Sequence, residues 1–446
     1  MKILSLNLKR NFFVPLLVMT GLSVFLMASC KKEHNNNVQT HNQASKHSSE
    51  ILDKWMTLQL RLIKNTTGVP NHGFARHFAY SGIAAFESIA PGLSGSDKKW
   101  SAKWNGLSGL PVAANANGYY FPANVNGAMA SINRSFFPNA SAADKAAIDS
   151  LENALNQEFI LTKTQAEINI SAQFGKDVAI AVFSWSETDG YKNANAAYTV
   201  PTGPGLWKPT PPLMTAPATP YWGNNRTIIS NSTTNTLPVA PPVYSTETSS
   251  PFYQMVKQVY DASQTLTEDQ KAMAMFWRDI PGVSSPGHWL SILQQVMEKS
   301  GTKLDKAALA YALTGTAIND ALITCFKAKY HYNLVRPITY IRDVMGYNNW
   351  NTFIGTPAHP EYPSAHSSLS SAAADVLVEL FGHSQTFTDH TYDYLGMAPR
   401  TYSSFSAIGE EAGMSRFYPG IHYLPAIQAG SVQGKKVTAN VFSKQN

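Results

Sequence analysis

The sequence predicts an all-α protein, and three observations carry that prediction. Apolar residues recur at helical spacing through most of the 446 residues. Ser and Thr residues stand where helix caps belong. No run alternates apolar and polar residues as a half-buried strand would. In order, Ile51 to Ile63 is amphipathic, with Leu52, Trp55, Met56, Leu60 and Ile63 near 3.6 spacing. His72 to Ile89 is rich in Ala and aromatics. Ser141 is an N-cap candidate for a helix through Ile148, Leu151 and Leu155, and Thr164 to Trp185 is long and Ala-rich.

The stretch from about 190 to 248 breaks the pattern. Ten of the 26 prolines fall between Pro201 and Pro242. Proline fixes φ and has no N–H, so regular helix is excluded there. Trp207 and Trp222 argue for an ordered loop pinned by aromatics, with a substrate-channel wall as its use; a domain linker is the plainer reading. Helices resume over Ser249–Ala262 and over Glu268–Arg278, where Thr265 or Thr267 is the cap. Pro286-Gly-His288-Trp289 opens one that runs to Lys299, and Leu304 to Tyr330 is long and apolar. Ser367–Phe381 and Ser404–Met414 follow.

The N-terminus reads as an export signal. Lys2, Lys9 and Arg10 precede an apolar run from Phe12 to Ala28, which ends Leu26-Met-Ala-Ser29-Cys30. Cys after small residues suggests a lipobox, with Cys30 as the lipidated first residue. An ordinary signal peptide or an uncleaved anchor are the alternatives. The expected division is a signal peptide over 1–29, a polar, disordered tether over 30–48 and one helical domain over 49–446. The expected location is a membrane-anchored lipoprotein in the periplasm or at the outer membrane or cell surface. Loss of Lys2, Lys9 and Arg10 lowers the formal charge from +6 to +3. No basic run with interleaved aromatics remains to suggest nucleic acid. Beyond the signal, no apolar run reads as long enough to span a membrane. The only other cysteine, Cys325, lies in an apolar stretch and reads as a buried thiol.

Three late segments carry the chemistry. They are Lys329-Tyr-His-Tyr-Asn-Leu-Val-Arg336-Pro337, Pro363-Ser364-Ala365-His366, and Ser415-Arg416-Phe-Tyr-Pro-Gly420-Ile-His422. Lys329 and Arg336 are seven positions apart, which on a helix puts both cations on one face, with Pro337 marking its end. Ser364-Ala365-His366 precedes a helix, whose first N–H groups attract anions. Pro419 and Gly420 bend the third segment so that Arg416 and His422 can meet. Taken singly, each has a plainer reading: a solvated basic helix end, a capping Ser with a structural His, a surface Arg with a buried His. Together they suit a tetrahedral oxyanion better than a metal cation. No metal-ligand, P-loop or dinucleotide motif competes.

In this order the segments resemble the signature of the superfamily of type 2 phosphatidic acid phosphatases and vanadium-dependent haloperoxidases. That pattern is Lys-x6-Arg-Pro, Pro-Ser-Gly-His and Ser-Arg-x5-His-x3-Asp. The chain departs from it twice, with Ala365 for Gly and Ala426 for the final Asp. The wider resemblance, over roughly residues 50–440, is to the soluble haloperoxidase branch. It implies a large helical bundle. It further implies vanadate held by Lys329, Arg336, Ser364, the Ala365 N–H and Arg416, with vanadium bonded to His422 and no other metal. His366 would then be the acid–base, and peroxide and halide the substrates.

The same cage implies a second activity. An acid phosphatase needs no cofactor, takes a phosphate ester, and would use His422 as nucleophile and His366 as acid. A binding lipoprotein with a relict anion site, using Trp207, Trp222, Trp277 and Trp289 as binding faces, is a third reading. Homo-oligomers are common in the family. Ala426 cannot orient His422 as Asp does, and Glu410, Glu411 and Asp320 are the candidate substitutes. His359 is expected to shape the pocket, His288 to sit near its mouth, and His331 to lie at the surface.

Overall fold

The computed structural model describes residues 43–114, 118–211, 214–280 and 282–443. The signal peptide and Cys30 lie outside the described residues. Fourteen α-helices make up the fold among the described residues. They are α1 (Glu50–Asn65), α2 (Gly73–Ile89), α3 (Gly95–Lys98), α4 (Phe121–Phe136), α5 (Ala142–Ile160), α6 (Gln165–Ser186) and α7 (Pro251–Gln264). The second set is α8 (Glu268–Phe276), α9 (Ser284–Ser300), α10 (Leu304–Tyr332), α11 (Pro337–Asp343), α12 (Ala365–Phe381), α13 (Phe405–Met414) and α14 (Leu424–Phe442). Strands β1 (Phe387–Asp389) and β2 (Arg400–Tyr402) form a small antiparallel hairpin, pairing Phe387 with Tyr402.

Local chemistry explains the boundaries. Ser141 caps α5 by accepting from the Asp144 N–H. Thr164 and Thr267 each close a capping box, with Glu167 and Gln270, at the starts of α6 and α8. The folded unit begins before residue 49, earlier than the expected tether allows. Ala44 is buried, and the His47 carbonyl accepts from Leu304 N at 3.0 Å.

Helix α10 is the axis of the molecule, with α2 against one side and α12 against another. Its 29 residues are long and apolar enough to cross a membrane, contrary to the reading from sequence. Yet the apolar window is wholly buried, because a helix surrounded by other helices must be apolar all round. The approach to α2 depends on glycine. A Cβ at Gly82 would come within 2.7 Å of the Tyr311 carbonyl, and one at Gly315 within 2.7 Å of the Ala79 backbone. Helices α4 and α6 pair in the N-terminal half, and α12 packs on α13 and α14 in the C-terminal half. A second hydrophobic cluster, with Phe252, Tyr340, Tyr362, Tyr423 and Ile427, backs the segments after α10 and α13.

The proline-rich stretch is an ordered wall. Trp207 and Trp222 are buried. The Leu206 and Leu334 backbones form a β-bridge, with Trp207 N donating to Asn333 O at 2.8 Å. Proline-rich backbone has carbonyls in excess of N–H groups, and tyrosine hydroxyls satisfy them. Tyr330 donates to Ala218 O, Tyr332 to Pro238 O, Tyr340 to Ser245 O and Tyr362 to Val239 O, at 2.6–2.7 Å. All four tyrosines lie in or beside the segments that carry the chemistry.

Candidate active site

The three segments converge, though not by the route their spacing suggests. Lys329 is in the last turn of α10, but that helix ends at Tyr332, where Asn333 turns to φ 48°. Arg336 lies beyond it in extended backbone, as the N-cap of α11. Pro337 therefore starts a helix rather than ending one, at the position where its missing N–H costs nothing. Ser364 caps α12, accepting from Ser367 N, and Ala365 is the first helical residue. Ala is tolerated there because first-turn dihedrals are ordinary helical ones. Gly430 lets α14 approach this turn, since a Cβ on it would lie 2.6 Å from the Ser364 carbonyl. After α13 the chain folds back on itself. Gly420 adopts φ 86°, and the Arg416 carbonyl accepts from both Ile421 N and His422 N. That closure brings Arg416 and His422 to one place.

Asp279, Ser285, Ala365, His366, Arg416 and His422 line a cavity of about 240 Å³. Lys329, Arg336 and Ser364 are fully buried behind it. Pro70, His72, Ala218 and His359 complete the wall, so both halves of the chain and the proline-rich stretch contribute.

Hydrogen bonds assign the tautomers. Arg336 Nη1 lies 3.2 Å from His422 Nε2 and can only donate, so that nitrogen carries a lone pair. His422 Nδ1 then carries the proton and donates to Glu361 Oε1 at 2.6 Å. Arg336 Nη2 also lies 3.0 Å from His359 Nδ1, and that nitrogen lies 3.2 Å from the Pro360 carbonyl. His366 Nε2 lies 3.0 Å from the Trp277 carbonyl, which can only accept, so Nε2 is protonated and Nδ1 holds the lone pair. The same nitrogen lies 2.7 Å from Ser285 Oγ, which donates to Asp279 Oδ1 at 2.8 Å.

The site is electropositive. Burial lowers Lys329 to about 7 and Arg336 and Arg416 to about 10, so each gains from an anion. Lys329 is nonetheless held by three acceptors, the carbonyls of Pro360, Glu361 and Pro363, at 3.0, 2.9 and 2.5 Å. These favour its charged form. Burial first, then Arg416, holds His366 down to about 3, and His422 is lowered well below the ordinary imidazole range. Burial pushes Glu361 up to about 7 against the pull of Arg336 and Lys329. The Arg416 Nε is buried with no hydrogen-bond partner among the described residues, a charged donor in want of an acceptor. A buried orphan donor on Arg416, two further cations behind the wall, a helix start at Ala365 and a lone pair on His422 Nε2 fit a tetrahedral oxyanion such as vanadate.

Several expectations are corrected. Of the carboxylates proposed to replace an Asp at 426, none reaches His422. Glu410 is exposed, Glu411 pairs with Arg400, and Asp320 accepts from Ile228 N, Ile229 N and Ser232. His288 is buried behind the site, stacked on Trp277 at 4.2 Å and bonded to Asp389 at 2.6 Å, not at the mouth. Trp207, Trp222, Trp277 and Trp289 are all at most 1% exposed and offer no binding face. His359 lines the cavity and His331 is exposed. Cys325 is buried, and burial pushes its thiol up to about 11. Sequence reading missed Asp279, Ser285 and Glu361. The one signal for Glu361 was an acid set among prolines three residues before Ser364, in a chain only 14% charged.

Helical architecture and site together define a class, that of helical-bundle enzymes with a buried cationic cavity suited to an oxyanion. A family model for the VCPO second helical-bundle domain matches residues 309–446. A solved structure described as the first bacterial vanadium-dependent iodoperoxidase is 30% identical, covering 89% of this chain and 96% of its own, with a TM-score of 0.78. Bacterial vanadium-dependent chloroperoxidase, in apo and holo forms, is 16% identical over 84% of this chain and over 93% and 92% of its own. With TM-scores of 0.60 and 0.58, that likeness speaks to the fold alone. Comparison with curated proteins finds no sequence match. The chain belongs to the vanadium-dependent haloperoxidase family.

Proposed function

We propose that the protein is a vanadate-dependent haloperoxidase that uses peroxide to oxidise halide, with iodide as its first substrate. The observation that carries this reading is the cavity where the orphaned Arg416 Nε, the lone pair of His422 Nε2 and the start of α12 come together. Iodide is favoured by the 30% identity to an iodoperoxidase.

Vanadate, when bound, would supply a Lewis acid that activates peroxide towards halide. The protein's own groups hold and surround it. His422 offers Nε2, and Arg416 and the Ala365 N–H offer donors at the cavity. Arg336 and Lys329 add charge from behind. His366 is the proton-transfer group. Its Nε2 is committed to Trp277 O and Ser285, so Nδ1 exchanges the proton. The Arg416 charge helps keep it neutral, and an anion in the site offsets that charge and raises its basicity. Asp279 sets the geometry of that group through Ser285.

A phosphate ester is the second reading, on one specific observation. A nucleophilic His422 needs an orienting carboxylate, and Glu361 touches it. The proposal extends to location, with Cys30 lipidated and the folded unit held at a membrane outside the cytoplasm. Its support is the basic start, apolar run and small residues before Cys30.

The test is a two-arm assay of the purified protein. One arm supplies vanadate, peroxide and iodide or bromide; the other supplies a chromogenic phosphate ester without vanadate. Iodide oxidation that requires vanadate is expected. Ester hydrolysis without halide oxidation would replace the reading with the phosphatase.

A further inference from the structure

We propose that Glu361 is the positioning residue for His422, and that it does from the turn before α12 what the family signature does with an Asp on α14. This inference rests on the cage being an oxyanion site.

The geometry assigns the role to Glu361 among the described residues. Its Oε1 accepts from His422 Nδ1 at 2.6 Å and from Tyr423 N at 3.0 Å. Two donors from adjacent residues on one oxygen fix the ring and its backbone together. Glu361 is fully buried, so solvent cannot compete for that oxygen. With the Nδ1 proton held there, Nε2 keeps the lone pair that Arg336 reads from the other side.

The turn that presents Glu361 is itself braced. Glu361 N donates to Leu334 O at 3.0 Å, and Lys329 Nζ donates to the carbonyls of Pro360, Glu361 and Pro363. The same turn runs directly into Ser364, whose N–H donates to the Ala426 carbonyl at 3.0 Å. One braced turn therefore sets both the ring of His422 and the first turn of α12. At 426 only the backbone takes part, and the side chain is a buried methyl. The carboxylate has changed its place in the chain but not its place in the site. Lys329 is accordingly a strut of the cage as well as one of its charges.

The test uses the full chain purified in detergent, with vanadate and, separately, inorganic phosphate as probes in equilibrium dialysis. Glu361→Ala should weaken vanadate binding by about tenfold to a hundredfold, the usual loss when a partner of a ligating histidine is removed. Glu361→Gln keeps an acceptor for Nδ1–H without the charge, and should lose less. Adding Ala426→Asp to Glu361→Ala should restore part of the affinity. Nitrogen-15 histidine spectra should show His422 as the Nδ1–H tautomer in the wild type and a mixture in Glu361→Ala. If Glu361→Ala fails to fold, Glu361→Gln carries the comparison. Wild-type binding with unchanged affinity and tautomer in the folded variants overturns the role of Glu361 alone. A wild type that binds neither anion overturns the cage, and this inference with it.

Discussion

At the scale of the residue, the site is an arrangement of hydrogen bonds that leaves one charged donor free. Lys329 spends its three protons on carbonyls and Arg336 is shared among His359, Ile421 O and His422. Among the described residues Arg416 makes one long hydrogen bond, 3.5 Å to Trp277 O, its Nε has no hydrogen-bond partner, and Asp279 is the opposing charge that acts on it. Arg416 should therefore be the most sensitive position for anion binding. Charge-assisted hydrogen bonds contribute about 1.5–3 kcal/mol each. Arg416→Ala is expected to weaken vanadate binding about tenfold to a hundredfold. Vanadate at 100 times its Kd should stabilise the wild type by about 2.7 kcal/mol. Thermal melts with and without vanadate should thus separate widely for the wild type and much less for Arg416→Ala. Equal ligand-induced shifts in both would refute the cage. The types and order of these residues were legible in the sequence. Their division into free donor, shared donor and strut was not, because backbone carbonyls and distant residues such as Trp277 decide it.

At the scale of the element, helix α2 shows how burial creates a pH dependence away from the site. It is buried on every face, and His77 lies within it, stacked on Phe136 at 4.8 Å and edge-on to Phe137 at 5.0 Å. Its Nδ1 has no partner, and burial, with Arg76, lowers it to about 3. The unfolded chain takes up a proton near 6.5 that the folded chain refuses until about 3. Stability is therefore full above about 6.5 and falls as pH drops, by about 1.4 kcal/mol per unit for this group. His77→Phe should flatten the fall in melting temperature between pH 7 and pH 5. Identical falls in wild type and variant would remove His77 as the cause. Helices α1, α2, α5, α6, α8, α10, α12 and α13 were legible as elements because each has a periodic apolar face or a Ser/Thr cap. Helix α4 was not, and neither was α11, which begins at the proline that seemed to end a helix. Proline both stops a helix behind it and starts one ahead, and only the turn at Asn333 decides between the two.

At the scale of the whole molecule, α10 joins an N-terminal helical half to the C-terminal half that carries the chemistry. The cavity draws its wall from both, with His72 lining it together with residues from Ala218 to His422. The proposed membrane attachment belongs to this scale too. Cys30→Ser should move the protein from the membrane to the soluble fraction while vanadate-dependent halide oxidation continues. Retention in the membrane would show that the apolar N-terminal run, and not a lipid, is the anchor. The sequence by itself determined the helical class, and it pointed to an oxyanion site and to the six side chains proposed for it. Periodicity, caps and the sign of charge are local properties and survive in one dimension. Only the tertiary structure decided what orients His422 and His366. Glu361 lies 61 residues before the first and Ser285 81 before the second, and contacts at such separations leave no periodic trace. The missing Asp at 426 was visible in the sequence. Its replacement was not, because a carboxylate acts through its distance from a ring nitrogen, and only folding sets that distance.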